Sequence, residues 1–229
     1  EEQCVPILEK SSNLIFNKDF FCGYSPERIN PGDKNRGINN IVKVTSGSNK
    51  KTAEIVDRLY NEVIDAGTYS AESIKIAEAA KVIENVQRDV NIALVNELAT
   101  VFHKLEIDTA SVMQAAATKW NFMNFSPGLV GGHCIGVDPY YLAHKAMDVG
   151  AHPKLIFASR EINERMIDFV ADRIIDKLNE KNKFQLGMPL NVLGVTFKEN
   201  CTDTRNSGVV KLIRALEVRG CKIFAHDPL

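Results

Sequence analysis

Apolar residues recur at three- and four-residue steps from about Ser70 to Leu105, through Ile76, Ala80, Ile83, Val86, Val90, Ala93, Leu94, Leu98, Val101 and Phe102. The period predicts one amphipathic helix of roughly 35 residues, on the order of 50 Å at about 1.5 Å per residue. Residues 68–126 hold neither glycine nor proline, the strongest helix breakers. A helix of that length exceeds what one small domain needs, so it links domains or builds a dimer interface. Asp108 predicts the N-cap of a second, shorter helix through Val112, Ala115 and Ala116. Pro153 opens a third, carried on by Ile156, Arg160, Ile162, Met166, Phe169, Ile174 and Leu178.

The flanks follow another rhythm. Strand-like runs at Phe20–Tyr24 and Ile41–Thr45 precede a helix from Thr52 to Ile64. Near the other end, Asn191–Phe197 reads as a strand, Ser207–Arg219 as a helix stopped by Gly220, and Lys222–Ala225 as a second strand, which together spell a parallel βαβ unit. The whole is an α/β chain with a helical middle, set between the end of one α/β domain and the beginning of another. It starts without Met and ends straight after a strand, so it is expected to be a piece of something longer.

Composition narrows the function. The 28 Lys+Arg and 29 Asp+Glu of this 229-residue chain leave a net charge of −1, so no global basic field recruits nucleic acid or anionic lipid. No apolar run approaches the ~20 residues of a membrane span, and no signal-like start is present, so the chain is read as cytoplasmic. The five cysteines are scattered, with no spacing that suggests a disulfide framework or a metal site.

Four segments hold candidate chemistry. The loop from Phe125 to Tyr141 sets Cys134 among Gly128, Gly131, Gly132 and Gly136, which suits a displayed nucleophile but equally a tight turn around a small buried hydrophobe. Asp138 follows four residues later, either ordering water or a base, or simply capping a turn before Pro139. Lys81 and Asn85 stand at i and i+4 on one helix face, where they can hold an oxyanion; periodicity alone makes them part of a solvated stripe continued by Arg88 and Asp89. Glu27 and Arg28 lie in a Pro- and Gly-rich turn, Ser25–Gly32. Lys198 and Arg205 flank a strand-to-helix loop, with Asp203 and Ser207 as helix-start caps, at the sheet edge where open α/β folds bind ligands. No G-x-G-x-x-G dinucleotide fingerprint is present.

The order and wording of the Ser-Pro-Glu turn, Ala-Glu-Ala-Ala-Lys-Val-Ile-Glu-Asn85, Gly-Gly-His-Cys-Ile-Gly-Val-Asp138 and Phe-Lys-Glu-Asn-Cys-Thr-Asp-Thr-Arg205 resemble the nucleotide-sugar 6-dehydrogenases, through essentially all of the chain. His133 and the Trp120–Phe125 approach are more similar to the UDP-N-acetylhexosamine branch, including the enzymes of Vi-type capsule synthesis, than to the UDP-glucose branch. Pro31, where the UDP-glucose branch has an acidic residue, and Arg28 beside Glu27 point the same way.

The resemblance implies three parts: residues 1–69 as the end of an N-terminal Rossmann-like NAD domain, 70–186 as a central helical domain that dimerises on the long helix, and 187–229 as the start of a C-terminal Rossmann-like UDP-binding domain. It implies a four-electron oxidation of C6 with two NAD+, and a homodimer. Cys134 would be the nucleophile, Lys81 and Asn85 would stabilise the substrate oxygen, and Asp138 would move a proton or position water. Glu27, Arg28, Phe125, Gly128, Gly131, Gly132 and Lys198 would contact the UDP-sugar, while Glu27 and Arg205 would meet the cofactor; no metal is expected. Lacking the fingerprint, the chain alone is expected to bind NAD poorly and turn over little. Two other readings are a dimerisation module without catalysis and a 3-hydroxyacid or 6-phosphogluconate-type dehydrogenase, which needs no cysteine.

Overall fold

The computed structural model describes residues 1–30 and 36–228, which form two compact units, 1–84 and 85–229. Pro31 and Gly32 lie outside the described residues.

In the first unit, helix α1 (Cys4–Ser12) precedes a three-stranded sheet. Strand β1 (Gly23–Tyr24) is antiparallel to β2 (Lys43–Gly47), and β2 is parallel to β3 (Thr68–Ser70), with Lys43 opposite Thr68. Helix α2 (Lys50–Asn61) crosses between the two parallel strands; Asn49 caps it by accepting from the Thr52 amide at 2.9 Å. Val44, Ala71 and Ala77 form the core, with Tyr24 against them. Hydrophobic periodicity does not reveal α1, whose residues are largely exposed, or β3, which is only three residues long. It also overextends the first strand: only Gly23 and Tyr24 pair with β2.

The long helix is present as α3 (Ile74–Lys104, 31 residues), shortened at its start because Thr68–Ser70 is taken up by the sheet. Asp108 caps α4 (Thr109–Ala116), its carboxylate accepting from the Ser111 amide at 2.8 Å and the Ser111 hydroxyl at 2.7 Å. Helix α5 (Asp138–Asp148) follows no clear apolar period; its first turn holds Pro139, whose missing N–H costs nothing there. Helix α6 (Lys154–Glu180) starts directly after Pro153. Strand β4 (Pro189–Leu193), helix α7 (Gly208–Val218) and parallel strand β5 (Lys222–His226) make the expected βαβ unit, but β4 ends four residues short of Phe197, where the amides of Val195 and Thr196 bond the Asp227 carboxylate instead of a strand. Ala171 of α6, Leu216 of α7 and Cys221 form its core, ringed by Ile174, Ile175, Phe184, Met188, Leu190, Leu212, Ala215 and Ile223. Burial pushes the Cys221 thiol up from its ordinary pKa, which suits a packed side chain. No helix among the described residues is long and apolar enough to cross a membrane.

Leu216 is 2 % exposed and Val218 on the same helix 86 % exposed. Leu216→Ala should therefore cost about 2–5 kcal/mol, against about 0.5 kcal/mol or less for Val218→Ala. Urea unfolding followed by circular dichroism checks both; equal costs would mean that α7 does not pack as described.

Candidate active site

Cys134 is exposed, at the start of the turn that leads into α5. Its carbonyl accepts from the amides of Val137 at 3.1 Å and Asp138 at 2.8 Å, so backbone alone closes the turn and leaves the thiol outside it. The buried-hydrophobe alternative for this cysteine does not hold. Asp138 begins α5 and is half-buried; its Oδ2 accepts a hydrogen bond from the Asn85 amide at 2.6 Å. Asn85 is buried, not part of a solvated stripe. Lys81 is one turn earlier on α3 and half-buried.

The residues just before Cys134 pack on the loop between β4 and α7. The Gly132 amide donates to the Asn206 carbonyl at 3.3 Å. His133 Nε2 lies 3.2 Å from Asp203 Oδ2, and its ring meets the edge of Phe197 at 6.2 Å between centroids. Two glycines are required by this contact. A Cβ on Gly131 would stand 2.8 Å from the Asn206 carbonyl oxygen; one on Gly132, whose φ is +86°, would stand 2.9 Å from the Phe197 ring. Gly128 has open space where its Cβ would be. Two of the four sequence segments, the cysteine loop and the Phe197–Arg205 loop, are thus brought together, and Asn85 joins them through Asp138.

Within that second loop Asp203 binds Arg205 with both carboxylate oxygens, Oδ1 at 3.1 Å from Nε and Oδ2 at 2.9 Å from Nη2. The Arg205 side chain is 74 % exposed, so a ligand can reach it. Lys198 is half-buried with its Nζ 5.9 Å from the centre of the Phe197 ring. Ser207 caps α7 by accepting from the Val209 amide at 3.2 Å. Phe125 is half-buried.

The Ser25–Glu27 turn belongs to the first unit. Ser25 Oγ donates to the Val44 carbonyl at 2.6 Å and the buried Lys43 ammonium to the Pro26 carbonyl at 2.9 Å, which fixes the turn on β2. Glu27 is exposed, its Oε1 accepting from the Ile29 amide at 2.6 Å. Arg28 bonds the Val42 carbonyl at 2.8 Å and the Glu84 carboxylate at 2.7 Å.

Family models match here in two blocks: the UDP-glucose/GDP-mannose dehydrogenase family central domain over residues 75–165, and the UDP binding domain of the same family over residues 191–229. The chain belongs to the UDP-glucose/GDP-mannose dehydrogenase family. It is 54 % identical over 228 residues to the UDP-N-acetyl-D-glucosamine 6-dehydrogenase of Salmonella typhi, a match that takes in 100 % of this chain and 54 % of that protein. Protein CapL of Staphylococcus aureus is 57 % identical over 227 residues, covering 99 % of this chain and 54 % of CapL. The solved structure of a UDP-D-ManNAc dehydrogenase from Pyrococcus horikoshii superposes with a TM-score of 0.88 at 31 % identity, over 99 % of this chain and 54 % of that one. The chain therefore spans about half the length of the relatives it matches. The family expected from four short motifs is the one found. Lys81, Asn85, Cys134 and Asp138 fall in the central-domain match, Lys198 and Arg205 in the UDP-binding match.

Sequence reasoning missed a buried polar chain behind the cysteine loop. Asp89 is 1 % exposed, where a solvated stripe was expected. Its Oδ1 accepts from Arg160 of α6 at 2.5 Å and from Asn163 at 2.8 Å. Asn96 Nδ2 donates to Asn163 Oδ1 at 2.9 Å and to the Gly128 carbonyl at 3.0 Å, while its Oδ1 accepts from the Gly128 amide at 2.8 Å. Asp89 Oδ2 and Arg160 Nε are buried without a hydrogen-bond partner among the described residues. A usable signal existed: Asn85, Asp89 and Asn96 share a helix face with Ala93, and polar groups on such a face point inward only when partnered. No cluster of three or more metal-ligating side chains occurs among the described residues.

Hydrogen bonds from the Arg205 guanidinium and, next, from its backbone amide hold the Asp203 carboxyl down at about 2. A depressed carboxylate pKa stabilises the folded loop above pH ~4 and loses that contribution as pH falls toward 2. NMR of the Asp203 carboxyl carbon should show a midpoint near 2, moving toward ~4 in Arg205→Ala. A midpoint that ignores the substitution would mean that the pair does not form in solution.

Proposed function

We propose that this chain is the nucleophile-bearing part of an NAD-dependent UDP-N-acetylhexosamine 6-dehydrogenase, which oxidises the sugar's C6 hydroxyl to the carboxylate in two steps for surface polysaccharide synthesis in the cytoplasm. One observation carries the reading: an exposed thiol on a glycine turn, four residues before a carboxylate that the buried Asn85 amide grips at 2.6 Å. That arrangement supplies a nucleophile, an amide, an acid–base group and, one helical turn away, an ammonium. The 54 % identity to a protein named UDP-N-acetyl-D-glucosamine 6-dehydrogenase supports the substrate branch.

Cys134 as thiolate adds to the C6 aldehyde, forming a thiohemiacetal whose oxygen carries developing charge. Lys81 and the Asn85 amide stabilise that charge, Asn85 being held for the task by Asp138. After the second oxidation, water cleaves the Cys134 thioester, and Asp138 takes the proton that water gives up. When bound, NAD+ accepts the hydride in each oxidation. The exposed and oriented Arg205 guanidinium fits a cofactor phosphate, and Glu27 would lie near the reacting groups. Lys198 and Arg28 would contact the UDP-sugar, with residues 125–132 closing over it; open space at Gly128 suits a ligand's approach.

A homodimer on α3 belongs to the same proposal. Ile76, Ile83, Leu94 and Val101 are exposed and share one face of that helix. Covering them with a second copy removes apolar surface from water. Leu94→Asp in the complete enzyme should shift sedimentation from dimer to monomer; an unchanged dimer would place the interface elsewhere.

The deciding measurement counts NADH per sugar consumed by the complete enzyme, given UDP-N-acetylglucosamine, UDP-N-acetylgalactosamine, UDP-N-acetylmannosamine or UDP-glucose. Two NADH per UDP-N-acetylhexosamine, abolished by Cys134→Ala, is expected. Asn85→Ala should lower kcat on the order of 10²-fold, the usual cost of an oxyanion donor. One NADH with an accumulating aldehyde would remove Cys134 from its role, and none with any sugar would favour a binding or dimerisation module.

A further inference from the structure

The buried chain from Asp89 to Gly128 lies behind the loop that the proposed reaction needs over its substrate, and none of its side chains touches the reacting groups assigned above. Asn96 is fully buried on α3 and makes three hydrogen bonds. Two of them go to a single residue, the amide and carbonyl of Gly128, at 2.8 and 3.0 Å. A primary amide that pairs with both the N–H and the C=O of one residue imitates a strand partner, so the loop is tied to the helix at one point, six residues before Cys134. Neither contact uses a side chain at position 128, because both use backbone.

The third bond orients the amide. Asn163 Oδ1 accepts from Asn96 Nδ2 at 2.9 Å, and Asn163 in turn donates to the Asp89 carbonyl at 3.0 Å and to its carboxylate at 2.8 Å. Asn163 can accept from Asn96 only while its own N–H groups face Asp89, and Arg160 keeps Asp89 in place. The direction of every amide in the chain is therefore set by the buried charge. Beyond Gly128 the loop has a second fixed point, where Gly131 and Gly132 meet Asn206 and Phe197.

We infer that Asn96 is a positioning residue for substrate binding: it anchors the 125–132 loop in its closed course over the nucleotide sugar by clamping the Gly128 backbone, its orientation fixed through Asn163 by the Asp89–Arg160 pair. The inference rests on the proposed function for its ligand, but the anchoring itself does not.

The test uses the complete enzyme and two readouts. In Asn96→Ala, the amides of residues 125–132 should exchange with deuterium about tenfold faster, while those of α6 keep their wild-type rate. KM for UDP-N-acetylglucosamine should rise about tenfold with kcat within about threefold, since the loop binds and the chemistry lies elsewhere; tenfold corresponds to ~1.4 kcal/mol, within the net worth of one or two hydrogen bonds. Asn96→Asp keeps the acceptor for the Gly128 amide but loses the donor to its carbonyl; it should show the same pattern and replaces Asn96→Ala if that variant does not fold. Loop amides at the wild-type exchange rate would overturn the inference, and so would faster exchange with KM unchanged or with the loss falling on kcat. A wild-type enzyme that oxidises no UDP-sugar would defeat the proposed function; exchange would then decide the anchoring alone.

Discussion

A carboxylate placed inside a helix pair is the constraint on which the C-terminal unit depends. Taking a charge out of water costs several kcal/mol unless an opposite charge and hydrogen bonds replace the lost hydration. Asp89 meets that condition through Arg160 and Asn163, both on α6. Burial pushes the Asp89 carboxyl above its ordinary pKa, and the Arg160 charge pulls it back. An apolar seam between α3 and α6 would tolerate sliding, because dispersion and burial are not directional. A buried ion pair does not, since a shift of one turn would leave both charges unpaired. The pair therefore sets the register of the two helices, and the amides of Asn163 and Asn96 carry that register to the Gly128 backbone.

From this scaffold the loops around Cys134 take their course. Asn96 ties down the approach, Asn85 grips Asp138 at the exit, and the glycines between them let the backbone lie against the Phe197–Asn206 loop. The thiol stays exposed because the turn is closed by the cysteine's own carbonyl and not by its side chain. One long helix thus fixes both ends of the cysteine loop, eleven residues apart along α3, with Lys81 one turn before the first of them.

Much of the architecture is legible in local signals. Asp108 as a cap, Pro153 as an opener, Gly220 as a stop and the βαβ pattern of the last forty residues act over a few positions each, and the structure follows them. The signals fail where an element is short or mostly exposed, as with α1 and β3, or where polar residues hide a helix start, as at Asp138. They fail in a more instructive way on α3. The apolar period marks a stripe through Ile76, Ile83, Leu94 and Val101 that suits a domain link or a dimer interface, but it leaves Asn85, Asp89 and Asn96 on the polar side, and these are buried. A period reports which residues avoid water, and a polar residue with a partner avoids it as well.

By itself the sequence determined most of the longer elements, the family and the four motifs, because caps, breakers and motif wording depend on neighbours within a helical turn or a loop. Only the tertiary structure decided which polar side chains go inside and what they hold. Asn96 meets Asn163 across 67 residues of chain and Asp89 meets Asn163 across 74. The burial of each is favourable only in the presence of the other, and no local pattern can carry that condition.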